Sequence, residues 1–144
     1  MSTSTHRSCP ACGKTNRVPL AHLADVGTCG ACKAALPAQG EPLEVDAATF
    51  DAIVGAAQVP VLVDFWATWC GPCQAAAPEV ARAAQLTRGR GVVLKVDTDR
   101  NPELAARYAI RSIPTFAVFK GGRAVTMRPG VLPSAALVQL MERA

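Results

Sequence analysis

The sequence predicts an α/β fold: a central mixed five-stranded sheet flanked by helices, preceded by a small cysteine-rich segment. Three observations carry this. From about residue 43 onward, short apolar runs of strand length alternate with stretches of helical periodicity, the pattern of parallel strands covered on both faces. Near the C-terminus two such runs are separated by Gly121-Gly122, the punctuation of a hairpin that adds antiparallel strands. Residues 1–40, by contrast, lack any long periodic apolar segment and hold four of the six cysteines. They read as a separate unit, joined by a linker over residues 37–42 (PAQGEP) to a main domain at 41–144.

Taken in order, residues 43–45 form a weak first strand. Asp46 is placed to cap a helix running to about Ala57, with Phe50, Ile53 and Val54 at helical spacing. VLVDFW (Val61–Trp66) is a nearly continuous apolar run, as in a strand buried on both faces. A helix follows from Cys70 to about Leu86, with Pro78 as an internal kink. VVLKVD (Val92–Asp97) is a second buried strand. Asn101-Pro102 reads as an N-cap and a proline at the first helical position, opening a short helix to Tyr108. TFAVFK (Thr115–Lys120) and AVTMR (124–128) flank the Gly-Gly turn, whose register the sequence leaves open. Residues 133–143 close the chain as an amphipathic helix with Leu137, Leu140 and Met141 on its apolar face.

Half of the residues are hydrophobic and 18% are charged, which is globular rather than disordered composition. The net charge of +4 is too mild to argue for a nucleic-acid partner. The N-terminal stretch MSTSTHRSCPACG has no apolar core of the kind a secretory signal needs, and no run is long enough to span a bilayer. A cytoplasmic protein with no membrane association is expected. Thiols there are mostly kept reduced, so cysteine pairs read first as metal-binding or redox-catalytic.

All six cysteines fall in C-x-x-C pairs: Cys9/Cys12, Cys29/Cys32 and Cys70/Cys73. The third pair stands at a strand-to-helix turn. The first turn of a helix offers unpaired N–H groups and a partial positive charge, both of which stabilise a thiolate at Cys70. Cys73 lies one turn further on, within bonding reach. This predicts an exposed attacking thiolate, Cys70, and a shielded resolving thiol, Cys73. Gly71 allows close approach of a partner backbone, and Pro72 stiffens the loop where its missing N–H costs little. Trp69, large and beside the dithiol, suits a partner-contact surface, whereas Trp66 reads as packing.

The combination of WCGPC after VLVDFWA with Ile113-Pro114-Thr115 downstream resembles the active-site signature of the thioredoxin family, over about residues 43–144. The resemblance implies that Asp64 is a buried aspartate beneath the dithiol and that Lys95 is a buried lysine. Asp64 then serves as a base near neutrality, because burial raises a carboxyl pKa. Asp64 and Lys95 also stand where an ion pair is possible. It further implies a cis-proline loop at Ile113-Pro114 and a substrate-groove glycine at Gly130. Two positions depart from the family pattern: Gln74 replaces a common lysine, and Pro133 stands where a capping serine is frequent.

The first two pairs fit C-x2-C-x15–20-C-x2-C spacing, and four thiolates from Cys9, Cys12, Cys29 and Cys32 complete the tetrahedron of a structural zinc site. Pro10, Gly13 and Gly30 are small or turn-forming residues within these knuckles. Zinc would supply folding energy that a short polar segment lacks. The competing reading is two further redox dithiols or disulfides. His6 and His22 read as surface residues, since four cysteines fill the site. A zinc ribbon ahead of this domain resembles the zinc-containing type of bacterial thioredoxin. The expected activity is reduction of protein disulfides through the Cys70–Cys73 dithiol. The resemblance further implies disulfide-containing proteins as substrates, an NADPH-dependent thioredoxin reductase as electron donor, and no bound organic cofactor. The alternative makes the ribbon functional, as a redox- or zinc-regulated binding module or an oxidative-stress sensor.

Overall fold

The computed structural model describes residues 4–144. Its main body is a mixed five-stranded sheet in the order β5-β7-β6-β8-β9. β5 (Leu43–Glu44), β7 (Val92–Asp97) and β6 (Val61–Trp66) run parallel, while β8 (Thr115–Lys120) and β9 (Arg123–Pro129) are antiparallel. The helices are α1 (Ala47–Ala56), α2 (Gly71–Leu86), α3 (Pro102–Arg107) and α4 (Ser134–Glu142). The α/β expectation is met element by element.

Strand alternation sorts the core into two layers. Val61, Val63 and Phe65 of β6 pack with Phe50, Ile53 and Val54 of α1 on one face. Leu62 joins Ala76, Val80 and Ala83 of α2 and Leu137 and Met141 of α4 on the other. Asp64 and Trp66 follow Leu62 in the alternation and therefore share the α2 face. The hairpin turn resolves as a two-residue loop with Lys120 opposite Arg123 and both Gly121 and Gly122 at positive φ, the geometry that only glycine adopts freely.

One expected cap differs, and one helix is capped from a distance. Asp46 caps α1 as predicted, accepting the Thr49 N–H. Asn101 precedes α3 but makes no side-chain cap; its amide donates to the Asp97 carbonyl instead. α4 has Pro133 at its N-cap and no local side-chain cap, and Glu79 of α2 fills the role by accepting the Ser134 N–H at 2.8 Å.

Residues 4–36 form two antiparallel hairpins, β1 (Ser4–Ser8) with β2 (Thr15–Pro19) and β3 (Gly27–Thr28) with β4 (Ala35–Leu36). They do not stand apart from the body. Val18, Leu20, Leu23 and Leu36 belong to the same apolar cluster as Phe50 and Ile53. The 37–42 stretch is also pinned rather than free: Arg7 donates to the Pro37 carbonyl, and the Gln39 N–H donates to the Leu23 carbonyl.

Candidate functional site

The β6–α2 turn builds the dithiol. Cys70 is the N-cap of α2 with extended backbone, φ −86° and ψ 110°, which turns its side chain back over the first helical turn. Its Sγ accepts the Cys73 N–H at 3.1 Å. Gly71 and Pro72 open the helix where the N–H groups have no intrahelical partner, so the proline breaks no bond there. Cys70 and Cys73 are joined in a disulfide, with their Cα atoms 5.2 Å apart.

The expected contrast of an exposed Cys70 and a shielded Cys73 is absent: the two residues are 3% and 4% exposed. Bonding to Cys73 holds the Cys70 sulfur inward, against the segment at Ile113. Cys70 Sγ lies 3.7 Å from the Ile113 carbonyl oxygen, and Trp66 and Ile113 pack on the cluster of Ala67, Cys70 and Cys73. In this oxidised form the two sulfurs are distinguished by the helix terminus rather than by access.

Asp64 lies on the α2 face of the sheet, 1% exposed, and its Oδ1 has no hydrogen-bond partner. Burial pushes its carboxyl up to about 7, against the pull of Lys95 and with a smaller push from Glu44. Asp64 and Lys95 are register partners on β6 and β7, yet no ion pair within 4 Å joins them among the described residues. Lys95 is also only partly buried. Its long stem carries the ammonium outward, onto the face of Trp66, 4.5 Å from the ring centroid.

A shallow groove of about 170 Å³ runs beside the dithiol, lined by Trp69, Thr98, Ile110 and Ile113 among others. Trp69 is 70% exposed, and its Nε1 donates to Asp99 Oδ2 at 2.8 Å. The Ile113–Pro114 peptide is cis. The Gly130 N–H donates to the Pro114 carbonyl at 2.9 Å. Gly130 has φ +92° and open space where a side chain would stand, so the backbone beside the proline loop is bare.

The other four cysteines converge. Each pair sits in a hairpin turn of the same design. The Cys9 N–H donates to the Lys14 carbonyl and the Gly13 N–H to the Cys9 carbonyl; Cys29, Ala34 and Lys33 repeat these two bonds. Gly13 and Lys33 hold the corresponding left-handed position, φ 78° and 67°. The four sulfurs lie within 4.8 Å of one another, with Cys9–Cys32 and Cys12–Cys29 at 3.7 Å. A tetrahedron with Zn–S bonds of about 2.3 Å spaces its sulfurs ~3.8 Å apart, so this donor set fits zinc. None of the four is in a disulfide. Backbone N–H groups hold two thiols below their ordinary range: the Cys12 N–H acts on Cys9, and the Cys32 N–H, then the Asn16 amide, bring Cys29 to about 6.

The thioredoxin family profile matches residues 41–143. The chain belongs to the thioredoxin family. A second profile, described as the N-terminal part of thioredoxin 2 and a zinc ribbon, matches residues 8–34. The chain is 50% identical over 100 residues to thioredoxin 1 of Nostoc sp., covering 69% of this chain and 94% of that protein. It is 38% identical over 136 residues to thioredoxin C-3 of Corynebacterium nephridii, covering 94% and 92%. Among solved structures, a mutant thioredoxin from Halobacterium salinarum superposes with a TM-score of 0.68 at 37% identity, covering 73% of this chain and 91% of that one. Thioredoxins are oxidoreductases acting on protein disulfides, and this chain is one of them.

Several site residues of this thioredoxin escaped the sequence. Asp99 sets the Trp69 indole, and Asp97 in turn holds the loop, its Oδ1 accepting the Asp99 and Arg100 N–H groups. The DTD run at the end of the strand was a usable signal, because Asp at such a position commonly accepts the N–H two residues on. Asn16 gave no comparable signal. It bridges the two cysteine knuckles, accepting the Gly30 N–H at 2.9 Å and donating to Cys29 Sγ at 3.5 Å. Gln74, the departure from the common lysine, donates to the Thr68 carbonyl at 3.2 Å and so ties α2 to the active-site loop.

Proposed function

We propose that Cys70 is the nucleophile and Cys73 the resolving thiol of a general protein-disulfide reductase, and that Cys9, Cys12, Cys29 and Cys32 hold a structural zinc ion. The observation that carries the redox reading is Cys70 at the N-cap of α2, its sulfur accepting a first-turn N–H. In the reduced form the same contact favours the thiolate. Cys70 thiolate attacks one sulfur of a substrate disulfide; that disulfide breaks, a mixed disulfide forms at Cys70, and the departing substrate thiolate takes a proton from water. Cys73 passes its proton to Asp64, directly or through a water, and attacks Cys70 Sγ. The mixed disulfide breaks, the second substrate thiolate leaves and takes up the proton released by Asp64 through solvent, and the Cys70–Cys73 disulfide remains. Two electrons and two protons have moved to the substrate. An NADPH-dependent thioredoxin reductase returns them.

Asp64 suits its part because burial holds its proton near neutral pH, where it both accepts and releases one. Lys95 acts as a nearby positive charge rather than as an ion-pair partner. Trp69, Ile113, Pro114 and Gly130 line the partner side; the bare Gly130 backbone and the Ile113–Pro114 loop suit an extended chain. Gly71 and Pro72 keep the helix start low and stiff. On this reading residues 1–40 are a zinc ribbon with its linker and residues 41–144 the catalytic domain. Zinc, when bound, supplies cross-links between the two hairpins and hence folding energy. A cytoplasmic location follows from the need for reduced thiols; no helix among the described residues is long and apolar enough to cross a membrane.

The test is substitution of each sulfur. Cys73→Ser is expected to accumulate stable mixed disulfides with protein substrates, resolved on non-reducing gels, and Cys70→Ser to lose reductase activity. Turnover by Cys70→Ser at the wild-type rate would remove the assignment.

A further inference from the structure

The sheet places four side chains in one band on the face that carries α2. Glu44 of β5 is the register partner of Lys95 on β7, and Lys95 is the register partner of Asp64 on β6. Register partners share a face, and Trp66, two residues beyond Asp64, lies on it too. Trp66 Nε1 donates to Glu44 Oε2 at 3.3 Å, while Lys95 Nζ sits over the same ring. Trp66 packs in turn on the cluster of Ala67, Cys70 and Cys73. One indole therefore links a solvent-facing carboxylate at the sheet edge to the underside of the dithiol.

We propose that Glu44 is a positioning residue for thiol–disulfide exchange: it fixes the Trp66 indole and keeps the Lys95 ammonium over that ring, shared between two carboxylates instead of committed to Asp64. The inference rests on the reading of Asp64 as proton acceptor for Cys73. The charged groups acting on Asp64 are Lys95 from β7 and Glu44 from β5; β8 places Phe116 opposite it, and α2 brings Cys73 to the same face. Those acting on Glu44 are Lys95 and Asp97, both from β7. Neutralising Glu44 removes a repelling charge from Asp64 and leaves Lys95 to favour its ionised form. Both effects have one sign: the Asp64 titration moves down. Glu44 faces solvent, so screening keeps the shift to roughly half a pH unit.

Glu44→Gln retains an acceptor for the Trp66 N–H and removes the charge. Two readouts are taken on full-length chain: the Asp64 midpoint by carboxyl NMR, and the pH profile of mixed-disulfide resolution in single turnover. In Glu44→Gln both are expected to shift down by about half a unit, and Glu44→Gln added to Asp64→Asn should leave the profile of Asp64→Asn unmoved. If Glu44→Gln leaves the Asp64 midpoint at its wild-type value while Asp64→Asn alters the profile, the role given to Glu44 is wrong and that of Asp64 stands. If Asp64→Asn itself leaves the profile unaltered, the proton-acceptor reading fails, and the NMR midpoint alone then decides whether Glu44 acts on Asp64.

Discussion

Asp64 is a carboxyl sealed in the sheet with an unpartnered oxygen, and its pKa of about 7 stands well above that of an aspartate in the unfolded chain. Between pH ~4 and ~7 the unfolded chain releases this proton and the folded chain keeps it, so the folded state binds more protons and stability falls as pH rises through that window. Above about pH 7 the full cost is present, on the order of 4 kcal/mol before relaxation. Asp64→Asn is therefore expected to exceed the wild type in stability at pH 8 and to lose that advantage near pH 4, while resolving mixed disulfides more slowly. Denaturant midpoints at the two pH values check this; an equal difference at both would mean that Asp64 does not titrate between them. At this scale the sequence was informative about residues whose chemistry is local. Cys70 and Cys73 declare themselves by position at a helix start. Glu44, Asp99 and Asn16 act through partners supplied by other parts of the chain, Trp66, Trp69 and the second knuckle, and no local pattern marks such partnerships.

The elements that came through to the residue are those buried on both faces. Val61–Trp66 and Val92–Asp97 agree because a central strand covered on both faces reads as a nearly continuous apolar run, broken here only by Asp64, Lys95 and Asp97. β9 is an edge strand with mostly exposed side chains and extends one residue beyond the expected run at each end. Helix starts were legible to within a residue at Asp46, Asn101-Pro102 and Pro133, but the capping group was legible only where it is local. Asp46 caps α1 from the adjoining position, whereas α4 begins at Pro133 and takes its cap from Glu79, on another helix. That carboxylate satisfies an orphan N–H and meets the positive end of α4. Glu79→Ala is expected to destabilise the protein by ~1 kcal/mol, with faster amide exchange concentrated in the first turn of α4. Unchanged exchange there would mean that solvent caps the helix equally well.

Across the whole molecule, composition and cysteine spacing suggested a ribbon whose folding energy comes from zinc, followed by a linker. The apolar residues of that segment, Val18, Leu20, Leu23 and Leu36, are too widely spaced to form a periodic pattern, yet they converge on Phe50 and Ile53 once the hairpins form. The ribbon and the thioredoxin domain share one core cluster, so a metal held by the four cysteines would be coupled to the stability of the domain. Removing zinc with a chelator is expected to lower the Tm of the entire chain by about 5 °C or more, with amide protection lost in α1 ahead of α2. A transition unchanged by chelation would show that the metal contributes nothing to the stability of the body. This division of six cysteines into a metal cluster and a redox pair is the claim on which the rest turns. It is tested by measuring bound zinc per chain together with reactive thiols before and after mild oxidation. One zinc, with only Cys70 and Cys73 lost to oxidation, is the predicted result. Oxidation of all six cysteines in a chain that binds no zinc would contradict it.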